Sequence, residues 1–88
     1  MSNKCIVRKL NFINPNEVFP QEVSVKFRYR QKDHPCVINK KDDEIICVYD
    51  YYKAVTTGQE AVFYNKDGLM IGSGTIDEVY RDDKRIDI

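Results

Sequence analysis

Residues 22–30 read EVSVKFRYR, an unbroken alternation of apolar and polar side chains. The apolar set is Val23, Val25, Phe27 and Tyr29, and the polar residues between them are Ser24, Lys26, Arg28 and Arg30. Successive side chains of a β-strand point to opposite faces, so this spacing is typical of a strand with one buried face. The stretch is therefore predicted to be a strand with an apolar inner face and a cationic outer face.

Further segments on both sides of this stretch are also short, apolar and rich in β-branched or aromatic residues, as strands are. They are Cys5–Leu10, Cys36–Ile38, Glu44–Tyr49, Glu60–Tyr64 and Leu69–Ile76. Because no segment has a helical period of 3.6 residues, the chain is predicted to be all-β. About six short strands predict a small closed or nearly closed antiparallel barrel, since closure hides the strand edges.

Turns and a loop between the predicted strands can also be recognised from their residues. Lys40–Asp43 and Lys66–Gly68 are predicted hairpin turns, with Gly68 in the left-handed conformation. Asn11–Pro20 holds two prolines and three asparagines and is predicted to be a loop, which Phe12, Ile13 and Phe19 hold against the core. Gly58 is a further predicted left-handed turn residue. Gly72 and Gly74, inside the last strand, predict a close backbone approach or a bend at a barrel corner.

The size and composition of the chain limit what it can do. Its 88 residues form a single domain over 1–88, of which the charged tail 77–88 is predicted to be an extra strand or a short helix. A chain of this size buries a thin core, which argues against a self-sufficient enzyme with a deep pocket. No apolar run approaches the roughly 20 residues that span a bilayer, and no secretory leader is apparent. We expect no membrane partner.

Three cysteines, Cys5, Cys36 and Cys47, are an odd number for a secreted disulfide scaffold, so we expect reduced thiols and a cytoplasmic location. His34 lies two residues before Cys36, which raises a zinc site or an activated thiolate as possibilities. Neither pattern has the spacing of known metal or nucleophile motifs, and buried small hydrophobes are the simpler interpretation. We predict no catalytic residues and no metal ligands in this chain.

The net charge of zero conceals an asymmetry along the sequence. Residues 1–41 carry nine Lys and Arg against three acids, a balance of +6, and residues 42–88 carry five against eleven, a balance of −6. Either the folded surface has two signs, or strands from both halves interleave and mix the charges.

The cationic face of the first stretch is the one chemically suggestive feature. On a strand, Lys26, Arg28 and Arg30 would stand about 6.6 Å apart, twice the ~3.3 Å rise per residue. Such a row can follow a nucleic-acid backbone, with arginine forks on the phosphates. An ordinary solvated strand face, whose charges keep an edge soluble, explains the same pattern.

Three blocks of sequence resemble a known family. They are Phe27–Cys36 (FRYRQKDHPC), Ala54–Tyr64 (AVTTGQEAVFY) and Ile71–Ile76 (IGSGTI). In this order and spacing they resemble the carboxy-terminal domain of bacterial tRNA-specific 2-thiouridylases, which also carry the older name tRNA (5-methylaminomethyl-2-thiouridylate)-methyltransferases. The resemblance implies a β-barrel similar to the second domain of translation elongation factors.

The resemblance also implies what the rest of such an enzyme does. An amino-terminal domain that uses ATP activates the wobble uridine of tRNA, and paired cysteines there deliver sulfur from a donor protein. This segment would hold no cofactor of its own, and none of Cys5, Cys36 or Cys47 inherits the catalytic role. Its partners would be tRNA and the other domains of the parent, which alone would meet the sulfur donor.

We therefore expect a noncatalytic barrel that holds tRNA while another domain works on the base. The residues expected to contact phosphates are Lys26, Arg28, Arg30, Lys32, Lys40 and Lys41. The alternative is a structural barrel that packs on other domains or forms a homodimer without touching RNA. In that case Arg28 and Arg30 would pair with acidic residues in Asp42–Glu44 or Asp77–Glu78.

Overall fold

Strands make up the regular structure of the chain in a computed structural model that describes residues 1–27, 33–53 and 55–86. In chain order they are β1 (Ser2–Phe12), β2 (Gln21–Lys26), β3 (His34–Lys41), β4 (Glu44–Tyr52), β5 (Glu60–Tyr64), β6 (Met70–Arg81) and β7 (Lys84–Ile86). In those described ranges no helix has the length and apolar character that a membrane crossing needs.

The strands close into a barrel. Antiparallel neighbours follow the order β1-β4-β3-β2-β5-β6, and β6 pairs back onto β1. The long β6 pairs with β5 over Met70–Thr75 and with β1 over Gly72–Tyr80, while β7 adds a short hairpin strand at its end. The predicted all-β fold is confirmed as a closed six-strand antiparallel barrel with one extra strand.

Alternation along β2 places its side chains as the sequence predicted. Val23, Val25 and Phe27 are buried inside the barrel, whereas Ser24 and Lys26 are only partly covered. Buried side chains from β1, β3, β4, β5 and β6 complete one continuous core. The remainder of the predicted strand, residues 28–30, lies outside the described residues.

Two glycines of β6 allow it to cross β1 closely. A Cβ added to Gly74 would lie 2.6 Å from Val7 Cγ1 and 2.8 Å from the Arg8 carbonyl oxygen. At Gly72 it would lie 2.5 Å from a carbon of the Phe12 ring. The predicted close approach at these glycines is confirmed, and it explains how Phe12 reaches the end of the core.

The structure corrects two details of the sequence analysis and selects between the two alternatives for the tail. Ile13 is 70% exposed, so Phe12 and Phe19 hold the loop against the core and Ile13 does not. In the tail, the extra strand is observed and not the helix, because β6 continues to Arg81 and turns back as β7. β3 begins at His34 and includes Pro35, earlier than the predicted start at Cys36.

The cysteines all face the barrel interior. Cys5 lies opposite Cys47 on the neighbouring strand, and Cys36 lies beside Cys47 between β3 and β4, with Cα atoms 6.4 Å apart. Adjacent strands place the Cys36 and Cys47 side chains on one inner face of the barrel, and the expectation of reduced thiols stays a prediction. Cys5 is a free buried thiol, and its burial raises its pKa to about 12. A thiol with that pKa is protonated and unreactive at neutral pH.

Candidate nucleic-acid interface

The cations predicted to contact RNA fall into two groups in the fold. Lys26 ends β2, and Lys40 and Lys41 end β3. Lys26 follows Val25, which lies opposite His34 on β3. Lys40 is six residues farther along β3 than His34. At ~3.3 Å per residue this separates the two positions by about 20 Å. Arg28, Arg30 and Lys32 lie outside the described residues.

Two described side chains, Asp33 and Tyr64, lie close to Lys26 on the barrel surface. Its ammonium group lies 3.6 Å from an Asp33 carboxylate oxygen and 5.5 Å from the centre of the Tyr64 ring. Both charged side chains are roughly 40% exposed, at 37% for Lys26 and 43% for Asp33. Exposed ion pairs of this kind contribute little and are screened by salt, so a phosphate can compete for Lys26.

Lys40 and Lys41 are exposed at the other end of the barrel. Lys40 lies opposite Ile45, and Lys41 lies opposite Glu44, just before the hairpin that turns at Asp42. Across residues 1–27, 33–53 and 55–86, no carboxylate lies within ion-pair distance of either ammonium group. Both side chains are therefore available to a ligand.

Lys9 is a cation at this end that the sequence analysis did not select. It is exposed and lies two residues after Val7. Val7 on β1 and Lys40 on β3 both lie opposite Ile45, on the two sides of β4. The neighbourhood arises because β1 and β3 both pair with β4. No pattern within either segment reveals that arrangement, so the sequence offered no signal for Lys9.

Arg8 pairs with acidic side chains of two strands, β4 and β6. Its guanidinium contacts Glu44 at 2.8 Å and Glu78 at 3.1 Å, and it also pairs with Asp77. Lys4 similarly lies 2.9 Å from Asp83. These pairs join the basic first half of the chain to its acidic second half, so charges of the two halves mix on this surface as the interleaving alternative expects.

Glu78, one of the acids that pair with Arg8, also contacts Tyr80. The Tyr80 hydroxyl donates a 2.5 Å hydrogen bond to it, and this bond, with smaller effects from Arg85 and Arg8, lowers the pKa of Glu78 below its ordinary value. A carboxylate with a lowered pKa in the folded state adds stability above its unfolded pKa and loses that contribution as the pH falls through the folded value.

Tyr80→Phe is therefore expected to make stability less sensitive to acid. Wild-type unfolding midpoints in urea should fall between about pH 6 and about pH 3, and the variant should fall less over the same interval. Tyr64→Phe is the matched control, because Tyr64 makes no hydroxyl hydrogen bond within the described residues. Parallel acid profiles for Tyr80→Phe and the wild type would show that this bond does not set the Glu78 pKa.

An apolar surface lies on the outer face of β3 and β4. Val37 and Val48 are opposite each other and are 43% and 47% exposed. They line a shallow groove of about 440 Å³ together with Pro35 and the acidic residues Glu22 and Asp50. Paired exposed valines of this kind are the described feature that most favours a packing role for the barrel.

The residues considered for metal binding or nucleophilic chemistry do not assemble into a site. The His34 ring packs 4.7 Å from the Tyr52 ring and meets Tyr49 edge-on at 6.3 Å. Within the described part of the chain, no three His, Cys, Asp or Glu side chains are grouped so that they could hold a metal ion. His34 therefore takes part in aromatic packing beside the buried Cys36.

Comparison with known proteins gives one consistent match. Residues 2–76 match the family model of the aminomethyltransferase β-barrel domain. A tRNA-specific 2-thiouridylase MnmA of Streptococcus agalactiae serotype III (strain NEM316) is 40% identical over 87 residues, covering 96% of this chain. The protein of that name from Mesoplasma florum is 46% identical over 90% of the chain, and the one from Staphylococcus epidermidis (strain ATCC 35984) is 34% identical over 97%. The chain spans only 23–24% of the length of these relatives.

Proposed function

The chain belongs to the aminomethyltransferase β-barrel domain family, as the carboxy-terminal barrel of tRNA-specific 2-thiouridylases, and on that premise we propose that it is a noncatalytic domain that contacts and positions tRNA. The tRNA would be held for 2-thiolation of its wobble uridine by another part of the enzyme. The observation that carries this proposal is the exposed pair Lys40 and Lys41, which no described carboxylate neutralises, on a barrel whose relatives are named for a tRNA reaction.

Contacts of this kind position an RNA more than they select its sequence. Lysine and arginine bind phosphates through charge, and phosphate contacts carry no base information. The ~20 Å between Lys26 and Lys40 means that an RNA contacting both groups lies along β2 and β3.

The noncatalytic part of the proposal rests on the side chains inside the barrel. Cys5 has a pKa raised to about 12 and is enclosed, and Cys36 and Cys47 are buried in the same core. None of the three is placed as a nucleophile. We propose that ATP and the sulfur donor act in other domains of the parent enzyme, in the cytoplasm, and that this domain binds no cofactor.

The arginines of the predicted row give a first test. In the double variant Arg28→Ala/Arg30→Ala, the affinity for a tRNA with a wobble uridine should decrease and depend less on the salt concentration. For each phosphate that is no longer bound, the slope of log K against log salt should decrease by roughly 0.7–0.9, because fewer counterions are released. The measurement is fluorescence anisotropy of labelled tRNA from about 50 to 200 mM salt.

The matched control for this test is Lys53→Ala/Lys84→Ala, which removes two exposed cations outside the predicted set. Its salt slope should equal that of the wild type. An unchanged slope in the arginine variant would remove those two residues from the proposed interface.

The alternative function, a structural barrel without RNA contact, is favoured by the exposed faces of Val37 and Val48. It requires Arg28 and Arg30 to pair with the acidic half of the chain, yet Glu44, Asp77 and Glu78 are already engaged by Arg8. The two functions separate experimentally. The structural barrel predicts no tRNA complex in an electrophoretic shift and a dimer, or a complex with other domains, in gel filtration.

A further inference from the structure

A small cavity opens at the barrel end where Lys40 lies. It has a volume of about 240 Å³ and is enclosed by the end of β1, the loop that follows it, and the end of β3. Its apolar walls come from Leu10, Phe12 and Phe19, and its polar groups come from Asn14, Glu17 and Lys40.

The aromatic walls are fixed by the core beneath them. The Phe12 ring stacks parallel to the buried Phe63 ring, with centroids 6.2 Å apart, and Phe19 meets Phe12 edge-on at 5.9 Å. Phe12 and Phe19 nevertheless remain only partly buried, so part of each ring faces the cavity. Aromatic rings held in this way are surfaces on which a planar group can stack without first being ordered.

The polar groups of the cavity combine donors with an acceptor. Asn14 Oδ1 accepts from the Asn16 amide at 2.9 Å, and one Glu17 carboxylate oxygen accepts from the Gln21 side-chain amide at 3.1 Å. Within the described ranges, the Asn14 amide nitrogen and the second Glu17 oxygen have no further partner. A donor and an acceptor beside an apolar wall match the edge of a nucleobase, which carries both.

Lys40 gives the cavity its charged side. Lys40 lies opposite Ile45, whose side chain is buried in the barrel, so the Lys40 side chain is on the same, inner face of the sheet. Because Lys40 is close to the end of β3, its side chain is nevertheless exposed. Inside the cavity, a phosphate would be repelled by the Glu17 carboxylate. It can, however, meet Lys40 and Lys41 outside while the attached base lies within.

We propose that this cavity receives one unstacked nucleobase from a single-stranded part of the bound RNA, with the adjoining phosphate on Lys40. The inference rests on the proposed function, because it names the part of the RNA that this end of the barrel holds. Stacking on aromatic side chains together with a cation for the backbone is how proteins hold single strands.

The test compares two labelled RNAs on the 88-residue chain, namely a stem-loop with the anticodon-arm sequence and a fully paired duplex of equal length. The wild type should bind the stem-loop more tightly than the duplex. Phe19→Leu, which keeps apolar bulk and removes the ring, should weaken stem-loop binding about fivefold or more and leave duplex binding unchanged. Ile13→Ala, on the exposed part of the same loop, is the matched control and should bind both RNAs as the wild type does.

A measurement on the unmutated chain keeps the test independent of how the variant folds. Amide NMR shifts on titration with the stem-loop should be largest at Asn14, Phe19 and Lys40, and smaller with the duplex. Equal binding of both RNAs, with shifts confined to the lysines, would overturn the base site while leaving the tRNA-contact proposal in place. If neither RNA binds, the proposed function fails and the base site fails with it.

Discussion

Phe63→Ala is expected to remove a large part of the stability of this domain. The Phe63 side chain is fully buried, lies opposite Gly72 on β6, and stacks on the ring of Phe12. Truncating a buried phenylalanine costs about 3–5 kcal/mol, because transfer energy is forfeited and a cavity is left behind. An 88-residue chain has a total stability of only about 4–13 kcal/mol at 0.05–0.15 kcal/mol per residue.

The measurement is urea unfolding followed by circular dichroism, with the fitted free energy compared between variants. The matched control is Val37→Ala, which shortens an apolar side chain on the outer surface of β3, where it is 43% exposed. That change should stay within about 0.5 kcal/mol of the wild type. A decrease of less than about 1 kcal/mol for Phe63→Ala would show that the barrel end is not packed as described.

Reversing two charges should have the largest effect on RNA binding. Lys40→Glu/Lys41→Glu is expected to lower the affinity for tRNA at least tenfold at about 0.1 M salt, because two phosphate contacts become repulsive. Hydrogen bonds to charged groups contribute about 1.5–3 kcal/mol each, and about 1.4 kcal/mol corresponds to a factor of ten. The effect should shrink as salt is raised, since screening weakens attraction and repulsion alike.

The control for this variant has the same change in net charge. Lys53→Glu/Lys84→Glu also exchanges two exposed lysines for acids, but away from the end of β3. It should reduce the affinity only slightly, through the overall field of the protein. Equal reductions in the two variants would show that net charge, rather than contact at Lys40 and Lys41, governs binding.

The sequence was sufficient for the strands because each one is specified locally. Alternation in 22–27 places Val23, Val25 and Phe27 inside, and the glycine turn at Gly68 has the predicted positive φ of 78°. The order of strands in the sheet was not specified locally. Pairing of β6 with β1, which closes the barrel, depends on contacts between segments far apart in the chain.

The candidate site was less accessible to sequence reasoning for the same reason. The cationic row was predicted from one strand, whereas Lys9 and Lys40 become neighbours only because β4 lies between β1 and β3. The loop residues Asn14, Glu17 and Phe19 likewise line a cavity with Lys40 although roughly 20 positions separate them. The close approach of Cys36 and Cys47 was missed because it depends on the register of β3 against β4.

The salt dependence of tRNA binding to the unmutated chain tests the central claim most directly. If two to six of the predicted cations neutralise phosphates, log K should fall linearly with log salt, with a slope between about −2 and −5. A complex whose affinity is independent of salt, or the absence of any complex at low salt, would contradict the account.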